Sequence, residues 1–210
     1  GQQLTGTGTI VFTDAEVEEA HVQLFDDRFR YQTALYQLVL LAVLAGVAAA
    51  TERDTAAAIR ERTRVYSHGV ASLVRDDAQI QAVVGEISSV SYTARALVRD
   101  VAQAVQGAAD TAQLRDSEED LAANVLAEIR SAQAQVVLSE AVPRAATLVF
   151  NTLGASATSR AKGLDRHWRN ARTVASHNPV IYKARIVGDW SINGTPHPFI
   201  WNIGTAVPAS

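Results

Sequence analysis

The chain has 210 residues, a formal net charge of -3 and a pI near 6.0. That length carries one substantial core, with room for part of a second domain, and the charge balance, with no basic tail, gives no electrostatic reason to expect nucleic acid as a partner. There is no cysteine, so disulfides and thiolate metal sites are excluded and the cytoplasm is the default compartment. Methionine is absent too, and the first residues, "GQQLTGTGTIVF", have the look of a β-hairpin interior. We therefore expect the C-terminal fragment of a longer protein, with an active site only half present.

Residues 1–28 are rich in Gly, Thr and β-branched side chains, and "TDAEV" has the composition of a turn; a short β segment belonging to a preceding domain is expected there. From Phe29 to about Arg64 the pattern becomes helical, with Tyr31, Leu35, Leu38, Ala42, Ala45 and Ala49 at three- and four-residue steps. Within it "ALYQLVLLAVLAGVAAA", 34 to 50, is almost uncharged and close to the length of a membrane span. Tyr36, Gln37, the abundant Ala and Gly, and Arg53 and Asp54 directly after it favour a helix buried by neighbours on several sides, and no membrane partner is expected. A second helix is expected over 70–108, with Ile87, Val90, Ala94, Leu97, Val101 and Ala104 as its seam.

Ser117 followed by Glu118, Glu119 and Asp120 is a helix start, with a capping hydroxyl and acids at the positive end of the macrodipole. The helix after it shows Leu121, Val125, Ile129, Ala132 and Val136 on one face, and Pro143 should kink or divide it. A fourth helix is expected over 156–174. The resulting fold class is mainly α: an antiparallel four-helix bundle spanning 29–210, preceded by the β segment.

"RHWRNARTVASHNP", 166–179, concentrates three arginines and two histidines in a chain otherwise dominated by Ala, Val and Leu. Arg166, Arg169 and Arg172 at three-residue steps suit a solvated face, or pairing with acids such as Asp165 and Glu140. Asn178 has the chemistry of an N-cap and Pro179 that of a first helical residue, which would put His177 directly before a helix N-terminus. The partial positive charge there would keep the ring neutral, able to donate from one nitrogen and accept at the other. The five histidines, His21, His68, His167, His177 and His197, show no metal-ligand spacing. "GASAT", 154–158, lacks the second glycine of a nucleophile elbow.

Taken together, "RERTR", "LGASAT" and "LDRHWRNART" followed by His177 and Pro179 resemble the C-terminal bundle of the acyl-CoA dehydrogenase superfamily, and more closely its flavin-dependent monooxygenase branch, the dibenzothiophene monooxygenase-like group. "GQQLTGTGT..F.D..V" is similar to the end of that superfamily's middle β-domain, which would make 1–28 its tail. The resemblance implies a two-component enzyme in which reduced FMN from a separate flavin reductase, with FAD the alternative, reacts with O2 to a C4a-hydroperoxide that oxygenates a small aromatic or sulfur-containing substrate. It implies a homotetramer, His177 as the catalytic histidine and Asn178 as a substrate contact. It also implies flavin contacts from Arg62 or Arg64 to the phosphate and from the loop Gly154, Ala155, Ser156 and Ala157. Guanidinium suits phosphate because its fork pairs with two oxygens. A dehydrogenase-like reaction is the alternative, but no Asp or Glu lies between Arg166 and Gly188, and Asn178 falls where that branch has its basic glutamate. A non-catalytic oligomerisation bundle is the third reading.

Overall fold

The computed structural model describes residues 5, 6, 8–24 and 27–199. Five α-helices lie within them: α1 Gln32–Glu61, α2 Ala78–Asp110, α3 Glu118–Leu153, α4 Asp165–Ala175 and α5 Val180–Asn193. The three long helices pack against one another in every pairing, α4 lies on α1 and α3, and α5 lies on α3. The mainly helical class is as expected, but the bundle is three long helices with two short ones laid on it rather than four of a kind. The expected β segment is not found: the described residues before 25 hold one 3-10 turn, Glu19–His21, and no strand. Ile10, Val11 and Phe12 are exposed, and a strand exists only where a second one takes up its backbone groups, which no described segment does.

Residues 156–174 do not form one helix. Gly163 adopts φ 57°, a left-handed conformation that ends helical propagation. What forms is a 3-10 turn, Ala155–Thr158, then α4. The start of α2 is also later than expected. Asp77 accepts from Gln79 N at 2.9 Å and Ile80 N at 3.4 Å, satisfying first-turn donors, and from Val70 N at 3.1 Å. Residues 70–76 are thereby folded back onto the cap. At the head of α3, Ser117 caps as expected, its hydroxyl accepting from Asp120 N at 3.1 Å.

The seam of α2 follows the sequence pattern, with Ile87, Ala94 and Val101 fully buried. That of α1 is rotated from it. Ala34, Gln37, Leu41, Leu44, Ala48, Thr51, Thr55 and Ile59 are buried, whereas Ala42 is exposed. Residues 32–51 of α1 carry no charged side chain, so little in that sequence sets which side turns inward. α1 is long and apolar enough to cross a membrane by length and composition, and about a third of its most apolar window is buried. α1 has neighbours on several sides, α2, α3 and α4, and leaves one stripe uncovered: Tyr36, Val39, Ala42 and Val43 are exposed in the single chain.

α3 departs most from its apolar periodicity. Ile129 and Ala132 are buried as expected, but a polar row, Asp120, Asn124, Glu128, Ser131, Gln135 and Ser139, is buried beside them, while Leu121 is exposed. Pro143 does not divide it; α3 runs unbroken through the proline. The lost i to i−4 bond, a cost of about 3 kcal/mol, is offset by the burial of Val142, Pro143, Ala145 and Ala146 against the neighbouring helices.

Candidate functional site

At one end of the bundle, Ile59, Val74, Ile87, Val149, Leu153, Ala157 and Leu164 form a compact apolar cluster. Beside it opens a cleft of about 650 Å3, within the range of small-molecule sites. Its walls combine Ala57, Ala58, Leu153 and Leu164 with four cations, Arg62, Arg64, Lys162 and Arg166, two acids, Asp54 and Glu61, and the hydroxyls of Thr63 and Ser156. The end of α1, the α3–α4 connection and the first turn of α4 contribute these groups, which sequence distance alone would not bring together.

Arg62 and Arg64 therefore share one cleft with Ser156. Arg62 already has structural partners: its Nε donates to Arg64 O at 3.1 Å, and its guanidinium bonds Leu153 O and, at 3.5 Å, Thr152 O. It caps the open carbonyls at the end of α3. Arg64 is exposed. Gly154 follows with φ 71°, its N–H bonded to Phe150 O at 2.8 Å; a side chain there would strain the backbone. Ala157 is buried in the apolar cluster, so of the 154–157 loop only Ser156 reaches the cleft wall.

His177 and Asn178 lie elsewhere, in the turn between α4 and α5, and neither lines this cleft. The cap expected of Asn178 is not formed. Pro179 is the N-cap and α5 begins at Val180, so His177 is not directly before a helix N-terminus. Its N–H instead bonds Val174 O at 3.1 Å, closing the end of α4. In the single chain the His177 ring is exposed and Asn178 is half-buried.

The histidine that the fold encloses is His167, 3% exposed, with Nε2 3.0 Å from Asp54 Oδ2. Burial and the Arg166 charge lower its pKa, outweighing the opposite pull of Asp54. Arg166 bonds the same carboxylate and also Gly163 O at 2.7 Å, while Arg169 pairs with Asp165 within α4. Asp54 thus anchors the first turn of α4 to α1 at the edge of the cleft. Sequence reasoning considered neither Asp54 nor Lys162 as part of a site. The available signal for Asp54 was the charged "ERD" stretch that follows the uncharged part of α1; for Lys162 there was none.

Residues 38–181 match the acyl-CoA dehydrogenase, C-terminal domain family. The chain belongs to that family. Among the relatives of this acyl-CoA dehydrogenase C-terminal domain is a dibenzothiophene monooxygenase of Mycolicibacterium goodii, 31% identical over 164 residues, covering 76% of this chain and 37% of the relative. A probable FMNH2-dependent monooxygenase of Pseudomonas putida is 44% identical over 45 residues, 21% of this chain and 11% of the relative. Among solved structures, a methanesulfinate monooxygenase from Pseudomonas fluorescens aligns with TM-score 0.72 and 28% identity, over 81% of this chain and 43% of the other. A complex from Paenibacillus with FMN and indole aligns with TM-score 0.68 and 28% identity, over 80% and 41%. The chain spans less than half the length of these relatives.

Proposed function

We propose that the chain is the C-terminal portion of a two-component flavin-dependent monooxygenase that uses reduced FMN from a separate reductase and O2 to oxygenate a small aromatic or sulfur-containing substrate. The observation that carries this reading is the single cleft in which Arg62, Arg64, Lys162 and Ser156 converge beside an apolar wall, in a chain whose relatives include FMN-dependent monooxygenases. The cations suit a phosphate and the Ala and Leu side chains suit a flat apolar ring, so the residues present fit FMN. Arg64 and Lys162 hold the phosphate, Arg62 supports them while capping α3, and Ser156 supplies a hydroxyl. When bound, reduced FMN supplies the two electrons that leave one oxygen atom of O2 on the substrate and the other in water.

His177 serves the reaction by holding or moving a proton at its ring nitrogens. Because it is outside the Arg62 cleft, the site is completed where this domain meets other parts of a homotetramer, which also covers the exposed side of α1. Full-length protein with reduced FMN, O2 and either indole or dibenzothiophene as probe tests the reading. Binding of FMN with formation of an oxygenated probe is expected, and His177→Ala should retain FMN while releasing hydrogen peroxide in place of product. Flavin reduction by an acyl-CoA would favour dehydrogenation instead, and absence of FMN binding would refute the proposal.

A further inference from the structure

α5 is fourteen residues long, yet the one side chain it buries is a lysine, Lys183. Ile181, Tyr182 and Ile192 are exposed, and Ile186, Val187 and Trp190, on the face of Lys183, are only half-buried, so the deepest point at which this helix attaches to the bundle is polar. Around Lys183 are Glu128 of α3, 0% exposed, and His197 from the segment after α5, 2% exposed. Lys183 Nζ is 3.3 Å from His197 Nε2. His197 Nδ1 is 2.7 Å from Pro198 O and 3.7 Å from a Glu128 oxygen. A neutral ring satisfies these contacts, with Nδ1–H donating to the Pro198 carbonyl and Nε2 accepting from the lysine.

The same segment is held at two further points. The Thr33 hydroxyl donates to Phe199 O at 2.8 Å, and the Arg30 guanidinium lies 5.4 Å from the centroid of the Phe199 ring. On the α1 side, the Ala34 N–H faces Glu128 and favours its charged form, although neither carboxylate oxygen makes a hydrogen bond of regular geometry. Three parts of the chain therefore meet at titratable groups shielded from water, where an unbalanced charge is costly.

We propose that Glu128, Lys183 and His197 form an interior latch that locks α5 and residues 194–199 onto α1 and α3, and that Glu128 and Lys183 are thereby positioning residues for the turn carrying His177. The second part rests on the reading of His177 given above. Burial pushes Glu128 up to about 8, Lys183 down to about 8 and His197 down to about 4, each toward its neutral form, which suits a cluster that shares protons. Lys183 lies one helical turn beyond Pro179 and is the first deeply buried side chain after His177; on the other side of the turn, Val174 and Ala175 are buried. Releasing Lys183 frees one end of a short turn that is otherwise fixed at both.

Hydrogen exchange on the intact protein, read with product formed per flavin oxidised, tests both parts in Lys183→Met, Glu128→Gln and the double variant. Each single substitution should raise amide exchange over 180–199 at least tenfold with α1–α3 protection unchanged, and lower the product yield with FMN still bound. The double variant, with both titratable partners removed, should regain protection. Unchanged exchange in both single variants overturns the latch. Raised exchange with unchanged yield overturns the positioning role and supports the latch alone. Where a single variant also loses α1–α3 protection the double variant decides, recovery supporting the latch and its absence overturning it. If His177→Ala leaves the yield unchanged, the role of His177, and with it the positioning role, fails, while the latch is judged on exchange.

Discussion

Replacing Asp54 by Ala should loosen α4 from α1. The carboxylate is 3.0 Å from the nearly fully buried Nε2 side of His167, and its loss leaves that nitrogen without its partner. Such a loss costs about 1–3 kcal/mol. Arg166 and Arg53 also meet Asp54, but their side chains are 50% and 72% exposed, so each contributes about 0–1 kcal/mol at most. The expected destabilisation is about 2 kcal/mol, most of it from the imidazole. For a chain of this size that lowers Tm by about 4–8 °C, at roughly 2–4 °C per kcal/mol. Asp54→Asn keeps a hydrogen-bonding group and should cost less. Calorimetry with hydrogen exchange across 165–175 measures both effects. A Tm within 1 °C of the parent, with α4 protection unaltered, would refute the reasoning. The pH profile gives an independent check. Burial alone would raise the Asp54 carboxyl, but Arg53, His167 and Arg166 outweigh it and hold its pKa below 3.8. Its stabilisation is therefore present above 3.8 and lost as pH falls through the folded value, whereas His167, lowered from 6.5, begins to erode stability as pH falls below 6.5.

Ser117→Ala removes the hydroxyl that caps α3 and should cost about 1 kcal/mol in urea denaturation. Ile87→Ala, at a position 0% exposed in the core, should cost about 2–5 kcal/mol by the same measurement. Arg64→Met should weaken FMN binding to the full-length protein about tenfold, the loss of one charge-assisted contact, with Tm unchanged, whereas Arg62→Met should lower both, since it also caps α3; fluorescence titration and calorimetry separate the two. Glu128, raised to about 8, keeps a proton that its unfolded form gives up near 4.5, so its contribution is complete below 4.5 and is withdrawn as pH rises to 8. His197, lowered from 6.5 to about 4, acts in the opposite sense below 6.5, so the net decline should fall between pH 6.5 and 8 and disappear in Glu128→Gln.

Much of the helical layout was legible because its signals are local. Ser117 with three following acids, and the seam from Ile87 to Val101, depend on neighbours within a turn or two, and both appear where the pattern put them. Asp77 is equally legible as a cap, and it starts α2 eight residues later than the apolar pattern does. The rotation of α1 was not legible, because residues 32–51, without a charged side chain, do not mark its inner face. Arg62 and Arg64 of the candidate cleft were found through family resemblance, whereas Arg166, Lys162 and Asp54 became members of its wall only when the ends of α1 and α3 met the start of α4.

By itself, the sequence determined that the protein is helical, where α3 begins, and which residues form the seam of α2, since backbone capping and apolar spacing act over a few residues. Only the tertiary structure decided that His167 is enclosed by Asp54, that α5 is held by Lys183 against Glu128 and His197, and that Arg62 caps α3. Those partners are separated by 14 to 113 residues in the chain. The energy of a buried polar group is set by what packing places beside it, and no local pattern records that neighbour.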